Sequence, residues 1–250
     1  SAQVAKPIFV EPTELSVNGK GLSEYKISAN MPAPWPGGWW RLGDIVQYEI
    51  ESTNSILNTA SIYKDRILTF RNDICKSEVK RGQNQAPYYF IIPQNQQDKS
   101  ELVELVNLLK EHGVEVSKLL SDFTLDGVNY SLGDIVVSLA QPFRTFIKEV
   151  MEPQKYPERH YTPGGEMISP YDITSWSLPL HKGLKSNQID TRNLAFEKQL
   201  EKISGQYSLS SNKDVFEYAI LTSTNNKSFK LVFEALNTGI KVDRCANEFE

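Results

Sequence analysis

The sequence predicts an α/β fold: a mainly parallel sheet with flanking helices, preceded by an irregular strap and one long helix. Two observations carry this. The stretch YYFIIPQNQQDKSELVELVNLLKEHGVEV, residues 88 to 116, returns as YAILTSTNNKSFKLVFEALNTGIKV at residues 218 to 242, and self-similarity of this kind describes an architecture. Within the first copy the hydrophobic pattern changes period twice. A continuous apolar run from Tyr88 is stopped by Pro93, Leu102, Leu105, Val106 and Leu109 follow at helical spacing, Gly113 closes the helix, and Val114 and Val116 alternate as a strand does. The unit therefore reads strand, helix, strand, one right-handed crossover on a parallel sheet.

The second copy matches part by part. Leu231 and Val232 stand for Leu105 and Val106, Gly239 for Gly113, Ile240 and Val242 for Val114 and Val116, and Arg244 for Lys118, after a loop three residues shorter. Residues 88 to 118 and 218 to 244 are expected to superpose. The chain divides into residues 1 to 80, holding the strap, a tryptophan-rich corner and the long helix, and residues 81 to 250, an α/β module containing the repeat.

In order along the chain, residues 1 to 34 carry Pro7, Pro12, Pro32 and Pro34 and a glycine pair around Lys20, a strap with one short strand at residues 8 to 10. PWPGGWWRL then gathers Trp35, Trp39 and Trp40 around a turn at Gly37 and Gly38. From Asp44, Ile45, Tyr48, Ser52, Ser55, Ile56, Thr59, Tyr63, Ile67 and Phe70 keep three-and-four spacing, and neither Pro nor Gly intervenes before Gly82; this predicts one helix of about seven turns. After the first repeat, Asp126 and Gly127 separate two extended runs, a type I′ hairpin signal. The strand at residues 135 to 139 meets Gln141 and Pro142, and Pro suits the first helical position of PFRTFIKEVM. Residues 152 to 170, with Pro153, Pro157, Pro163, Pro170 and the Gly164, Gly165 pair, read as a long loop. PYDITSWSLPLHKGL predicts a helix begun by Asp172 and ended by Gly183, with Pro179 inside it. A short helix is expected around residues 194 to 203.

Composition narrows the function classes. A formal net charge of -4 over 250 residues and a pI near 5.6 provide no basic field for a phosphate backbone, so nucleic acid is not an expected partner. The greasiest window, residues 134 to 140, is far shorter than the roughly 20 residues of a membrane helix, so no membrane span is expected. Cys75 and Cys245 are the two cysteines, too few for a disulfide framework or a zinc knuckle. The chain opens on Ser1 without a signal or transit pattern, and its last residues stop where the first copy continued, so a piece of a longer polypeptide or a processed form is expected.

Three patterns could carry chemistry. His112 and Glu115 have the H-x-x-E spacing of a zinc site, but they fall at a helix end and on the following strand, the second copy has Thr238 and Lys241 there, and neither His160 nor His181 is in register to be a third ligand. The strand-to-helix elbow after Leu139 is where such sheets place a nucleophile, yet its tip is Ala140, Gln141, Pro142. The carboxylates Glu149, Glu152, Glu158, Glu166 and Asp172 cluster only in sequence. No catalytic or metal-binding residue is assigned. A candidate ligand pocket is assigned instead to Gln141, Arg144, Tyr171, Asp172 and Trp176, at the carboxyl edge of the sheet, where open α/β sheets bind ligands. Trp35, Trp39 and Trp40 are read either as an aromatic platform or as an anchor between strap and helix.

PWPGGWWRLGDIVQYE, AQPFRTFIKEVMEPQKYP and PYDITSWSLPL together resemble one branch of the zinc carboxypeptidase family, bacterial carboxypeptidase A-like metallopeptidases with a C-terminal region similar to class I glutamine amidotransferases. The likeness runs from KPIFVEPTEL into the second repeat. It implies an amidotransferase- or flavodoxin-like sheet, a parent protein that uses zinc to hydrolyse C-terminal peptide bonds, a secreted or periplasmic location, and as partners an upstream peptidase domain and the parent's peptide substrate. The family's zinc ligands and general base lie before the segment matched here, so none maps onto this chain, and the empty elbow departs from the Cys-His-Glu pattern of amidotransferases. The resemblance thus implies a non-catalytic accessory region following the tail of a peptidase domain, residues 1 to about 80. The rivals are a small-molecule, peptide or glycan binding module using the pocket above, and an independent hydrolase using Cys245 or the carboxylates.

Overall fold

The computed structural model describes residues 6–15, 26–29, 31–155, 157–169, 176–209 and 218–245. The chain forms two units, Ser1–Phe70 and Arg71–Glu250, against an expected division at residue 80.

In the first unit, β1 (Ile8–Val10) pairs antiparallel with β2 (Gly38–Trp40), Phe9 opposite Trp39. A 3-10 turn, Pro12–Glu14, follows β1. Gly37 must be glycine: its φ is +92°, and a Cβ would stand 3.0 Å from the Val10 carbonyl oxygen. The helix α1 (Leu42–Ile62) starts where the Asp44 carboxylate accepts from the Arg41 amide at 2.8 Å. The expected long helix is nearly continuous, since α2 (Lys64–Asn84) resumes after Tyr63 and runs through Gly82. Only Ile45 is buried on α1.

The second unit is built on one five-stranded sheet. Its strands are β3 (Tyr89–Ile92), β4 (Ser117–Leu119), β7 (Ile135–Ser138), β8 (Asn187–Ile189) and β9 (Leu200–Lys202), in the order β8-β3-β7-β4-β9. Every neighbouring pair is antiparallel. This overturns the expected mainly parallel, flavodoxin-like sheet. The strands β3 and β4, joined by α3 (Lys99–Glu111), do run the same way, as the crossover pattern requires, but β7 lies between them with Phe90 opposite Val137 and Ser117 opposite Val136. The motif is a split β-α-β. The chain returns to that slot after β5 (Phe123–Leu125) and β6 (Val128–Tyr130), whose turn has φ of +50° at Asp126 and +77° at Gly127, the expected type I′ hairpin.

Each face of the sheet has its own cover. Phe90, Ile92, Ile135 and Val137 pack with Leu102, Leu105, Val106 and Leu109 of α3 and with Ile147 and Met151 of α4 (Arg144–Met151). On the other face Tyr89, Ile91, Val136 and Ile189 meet Leu125 and Tyr130 of the hairpin and Phe196 of α6 (Leu194–Glu197). The edge strands β8 and β9 are close in sequence and lie at opposite edges, so the link carrying α6 crosses that second face. Full burial of an aromatic such as Phe196 at 0% exposure is the physical reason the link holds there.

Four helices differ from expectation; the one expected around residues 194 to 203 stops at Glu197, and Leu200–Lys202 is the edge strand β9. Pro142 precedes α4 rather than opening it, because Phe143 is the cap. The helix expected over PYDITSWSLPLHKGL is reduced, among described residues, to α5 (Leu178–His181), with Ser177 at its N-cap position; Pro179 is in its first turn, where the missing amide costs nothing. Asp172 lies outside the described residues. The second repeat yields the helix α7 (Asn226–Asn237), but residues 218–222 and 240–243 form no strand. Among the described residues neither segment pairs with β8 or β9, the two edge strands of the five-stranded sheet.

Candidate functional site

The elbow after β7 was the first candidate, and its side chains are committed to main chain. The Gln141 amide spans the gap between the end of β7 and the approach to β4: Nε2 donates to the carbonyls of Ser138 (2.6 Å) and Glu115 (3.1 Å), and Oε1 accepts from the Glu115 amide (2.8 Å). It replaces a peptide group in the ladder. Arg144 donates from Nη2 to the carbonyl of Ala86 at 3.0 Å and sits near Glu78, which accepts from Arg81 (2.8 Å) and Thr145 (2.9 Å). Burial works to raise the Glu78 carboxyl, but the bonds from Arg81 and Thr145, with the charges of Arg81 and Arg144, hold it below its ordinary value. The elbow therefore fastens α2 and the entry to β3 onto α4.

Tyr171 and Asp172 lie outside the described residues. Trp176 is 38% exposed and precedes Ser177, the residue at the N-cap position of α5, whose side chain makes no capping bond. In an antiparallel sheet each end carries both starts and ends of strands, so the carboxyl edge on which the pocket was reasoned does not exist as one surface. A different concavity is present. A groove of about 370 Å³ is walled by Phe90, Met151, Pro179 and Leu184, with Ser177 and Ser186 on its lining. The hydroxyls of these two serines are buried and have no hydrogen-bond partner among the described residues. Sequence reasoning passed over both, because serine carries no spacing signal.

A second polar cluster joins helix ends. Asp98 caps α3, accepting from the amides of Ser100 (2.8 Å) and Glu101 (3.2 Å) and from Ser100 Oγ (2.5 Å), while its other oxygen accepts from the Asn226 amide at 2.7 Å. Glu101 pairs with Lys182 at 2.6 Å. The D-x-x-E string at residues 98 to 101 is the available sequence signal for this cap. Burial works to raise the Asp98 carboxyl, and the hydrogen bonds from Ser100, Asn226 and Glu101 outweigh it and hold it low; for Glu101 the Lys182 ammonium is the leading cause of the same lowering. Both carboxyls hold their stabilisation above their unfolded values, 3.8 and 4.5, and lose it as pH falls through the lower folded values. Stability is accordingly expected to drop in acid below those values. Asp98→Asn should weaken the fold at neutral pH and flatten that acid limb, as read by urea melts at stepped pH; an unchanged limb would remove Asp98 from the account.

The H-x-x-E pair has other duties. His112 Nδ1 contacts the Leu108 carbonyl at 2.9 Å and the ring stacks on Phe146, while Glu115 pairs with Lys202 at 2.5 Å. Among the described residues no group of three His, Cys, Asp or Glu side chains is placed to share a metal ion. Of the loop carboxylates, Glu149 accepts from Gln154, Glu152 pairs with Lys148 and Glu158 with His160. No described helix is long and apolar enough to cross a membrane.

The three tryptophans pack edge-on. Trp35 meets Trp40 at 5.4 Å and 65°, Trp40 meets Tyr48 of α1 at 5.6 Å, and Phe9 meets Trp39 at 5.4 Å and 74°, with the Arg41 guanidinium 5.1 Å over Trp39. Trp39 is half exposed and the other two are partly buried. Rings at such angles offer no common plane for stacking a sugar or peptide. Trp40 ties strand to helix, so Trp40→Ala should cost about 2 kcal/mol, two aromatic pairs plus partial area, against less for Trp39→Ala; equal melting temperatures for the two variants would refute this ranking.

Compared with protein-family models, with curated proteins and with solved structures, the chain finds no match.

Proposed function

We propose that this chain is a non-catalytic accessory region: residues 1 to about 80 close a larger domain of the zinc carboxypeptidase kind, and the α/β module follows as an appendage without its own reaction centre. The observation that carries this reading is the apolar surface of the first unit. Val46, Ile50 and Leu57 form one row along α1, Ile56 and Tyr63 another, and Ile67 and Phe70 extend them; all are exposed, Phe70 by 66%. Rows of this length on a soluble protein belong against another surface. The resemblance of PWPGGWWRLGDIVQYE to the end of a carboxypeptidase domain names that surface, and zinc, general base and peptide substrate then belong to it. The elbow supports the reading from the other side, since the Gln141 amide is occupied structurally; Arg144 donates from Nη2 to the Ala86 carbonyl, while its buried Nε has no partner among the described residues.

The test is complementation. A separately produced carboxypeptidase-like domain of this branch, truncated before its PWPGGWW string, should bind the chain and slow amide exchange along α1, with zinc bound by the added domain. Release of C-terminal residues from peptides by this chain alone would overturn the proposal, as would failure of α1 to respond to the added domain. A second reading, a small-molecule binding module, is favoured by the groove beside Ser177 and Ser186, whose buried hydroxyls await partners. Fragment titration read at the Met151 and Leu184 methyls should shift both, and Ser177→Ala should weaken binding; methyls unmoved by every fragment would end that reading.

A further inference from the structure

The second copy of the repeat is half of something. Its helix ends as the first does: Gly239 has φ of +78° where Gly113 has +80°, the Ile240 amide bonds the Ala235 carbonyl at 2.9 Å as Val114 bonds Leu109 at 3.0 Å, and Thr238 bonds Glu234 at 3.1 Å as His112 bonds Leu108 at 3.2 Å. The end of the helix is thus reproduced. The packing is not. Phe229, Phe233, Leu236 and Ile240, spaced by four, three and four, are all exposed, and so is Leu231. Leu231 and Val232 stand where Leu105 and Val106 of α3 face the sheet, so they mark the face of α7 that a sheet would cover.

The first copy shows what covers such a unit. Between β3 and β4 stands β7, whose Ile135, Val136 and Val137 are fully buried and whose backbone pairs both neighbours. Without that strand β3 and β4 would face each other across an empty slot. Residues 218–222 and 240–243 have the apolar sequence of the flanking strands and no ladder. The helix N-terminus is tied to the first module by polar contacts from Asn226 to Asp98 and Glu101 and from Lys227 to Glu104.

We propose that residues 218–244 are the opening half of a second split β-α-β module, and that their surface takes an antiparallel, β-branched apolar strand of the β7 kind. The strand enters between residues 219–222 and 240–243 and pairs with both, and its apolar side chains meet α7 as Ile135 and Val137 meet α3. Charge sets the next strand out. In the first copy Glu115 and Lys118 are matched by Lys202 and Glu201 of β9; the equivalents, Lys241 and Arg244, are both basic, so the partner's outer strand carries acids at both places. This inference does not rest on the peptidase reading.

Because the copies share their apolar positions, the chain's own β7 sequence is the probe. Amide exchange of the whole chain is followed with and without a synthetic peptide SLGDIVVSLAQ, residues 131 to 141. Residues 219–222 and 241–243 should exchange freely in the chain alone and about tenfold or more slowly with peptide. Ile240→Asp should abolish the effect and leave β3 exchange unchanged. Three outcomes overturn the proposal: no slowing at about 1 mM peptide; slowing that follows chain concentration without peptide, which assigns the surface to a second copy; and full protection of residues 219–222 in the dilute chain alone.

Discussion

Gly82→Ala should destabilise the α/β unit by about 3 kcal/mol and lower its melting temperature by roughly 6 to 12 °C for a unit of this size. The usual effect is opposite in sign, because alanine is favoured over glycine within a helix by about 1 kcal/mol. Position 82 reverses it through contact. A Cβ there would stand 1.9 Å from the Leu139 carbonyl oxygen, 2.4 Å from its carbon and 2.7 Å from the Ala140 Cα. These are backbone atoms of the elbow, held by the Gln141 bridge, so no rotamer change relieves the overlap. Gly43, with nothing within 4 Å of its Cβ position, is the control, and Gly43→Ala should be neutral or stabilising. Equal melting of Gly82→Ala and the parent would mean that α2 does not lie on the elbow.

The error in the sheet has a definite physical origin. Residues Ile135, Val136 and Val137 are a continuous apolar run, and such a run reports burial on two faces without reporting direction. Central strands of parallel sheets satisfy that condition; so does β7, which is the middle strand of an antiparallel sheet with helices on one face and the β5-β6 hairpin and α6 on the other. The crossover from β3 to β4 was legible because the period of its hydrophobic residues changes. That a third strand would enter between them depended on register against residues far along the chain, as in the pairing of Tyr89 with Ser138, and no local signal encodes it.

The site was less legible than the fold for a related reason. Gln141 and Arg144 have the donors a ligand pocket needs, and the same donors satisfy carbonyls at Glu115, Ser138 and Ala86. Residue type at an elbow does not distinguish the two uses; only the distant partner does. Asp98 illustrates the opposite case. Its cap on α3 follows from the local D-x-x-E string, whereas its bond to Asn226 joins two copies of a repeat across the fold. Local patterns gave the helices and their ends, and long-range pairing decided what those ends hold.

The sharpest contrast within the chain is between two equivalent leucines, and it tests the packing of both copies at once. Leu105 of α3 is fully buried beside Phe90, Ile92 and Val137, while Leu231, its counterpart on α7, is 49% exposed. Leu105→Ala removes core contacts and leaves a cavity, so a loss of about 2 to 5 kcal/mol is expected. Leu231→Ala removes half-solvated surface from a helix that alanine suits equally well, and the expected change is within about 0.5 kcal/mol. Both substitutions remove the same atoms from equivalent positions of two helices, so the difference reports how far each site is buried. Urea denaturation followed by the near-ultraviolet signal measures both variants against the parent. Were Leu231→Ala to cost as much as Leu105→Ala in the isolated chain, α7 would already be seated on a sheet of its own, and the exposed stripe from Phe229 to Ile240 would not describe the protein in solution.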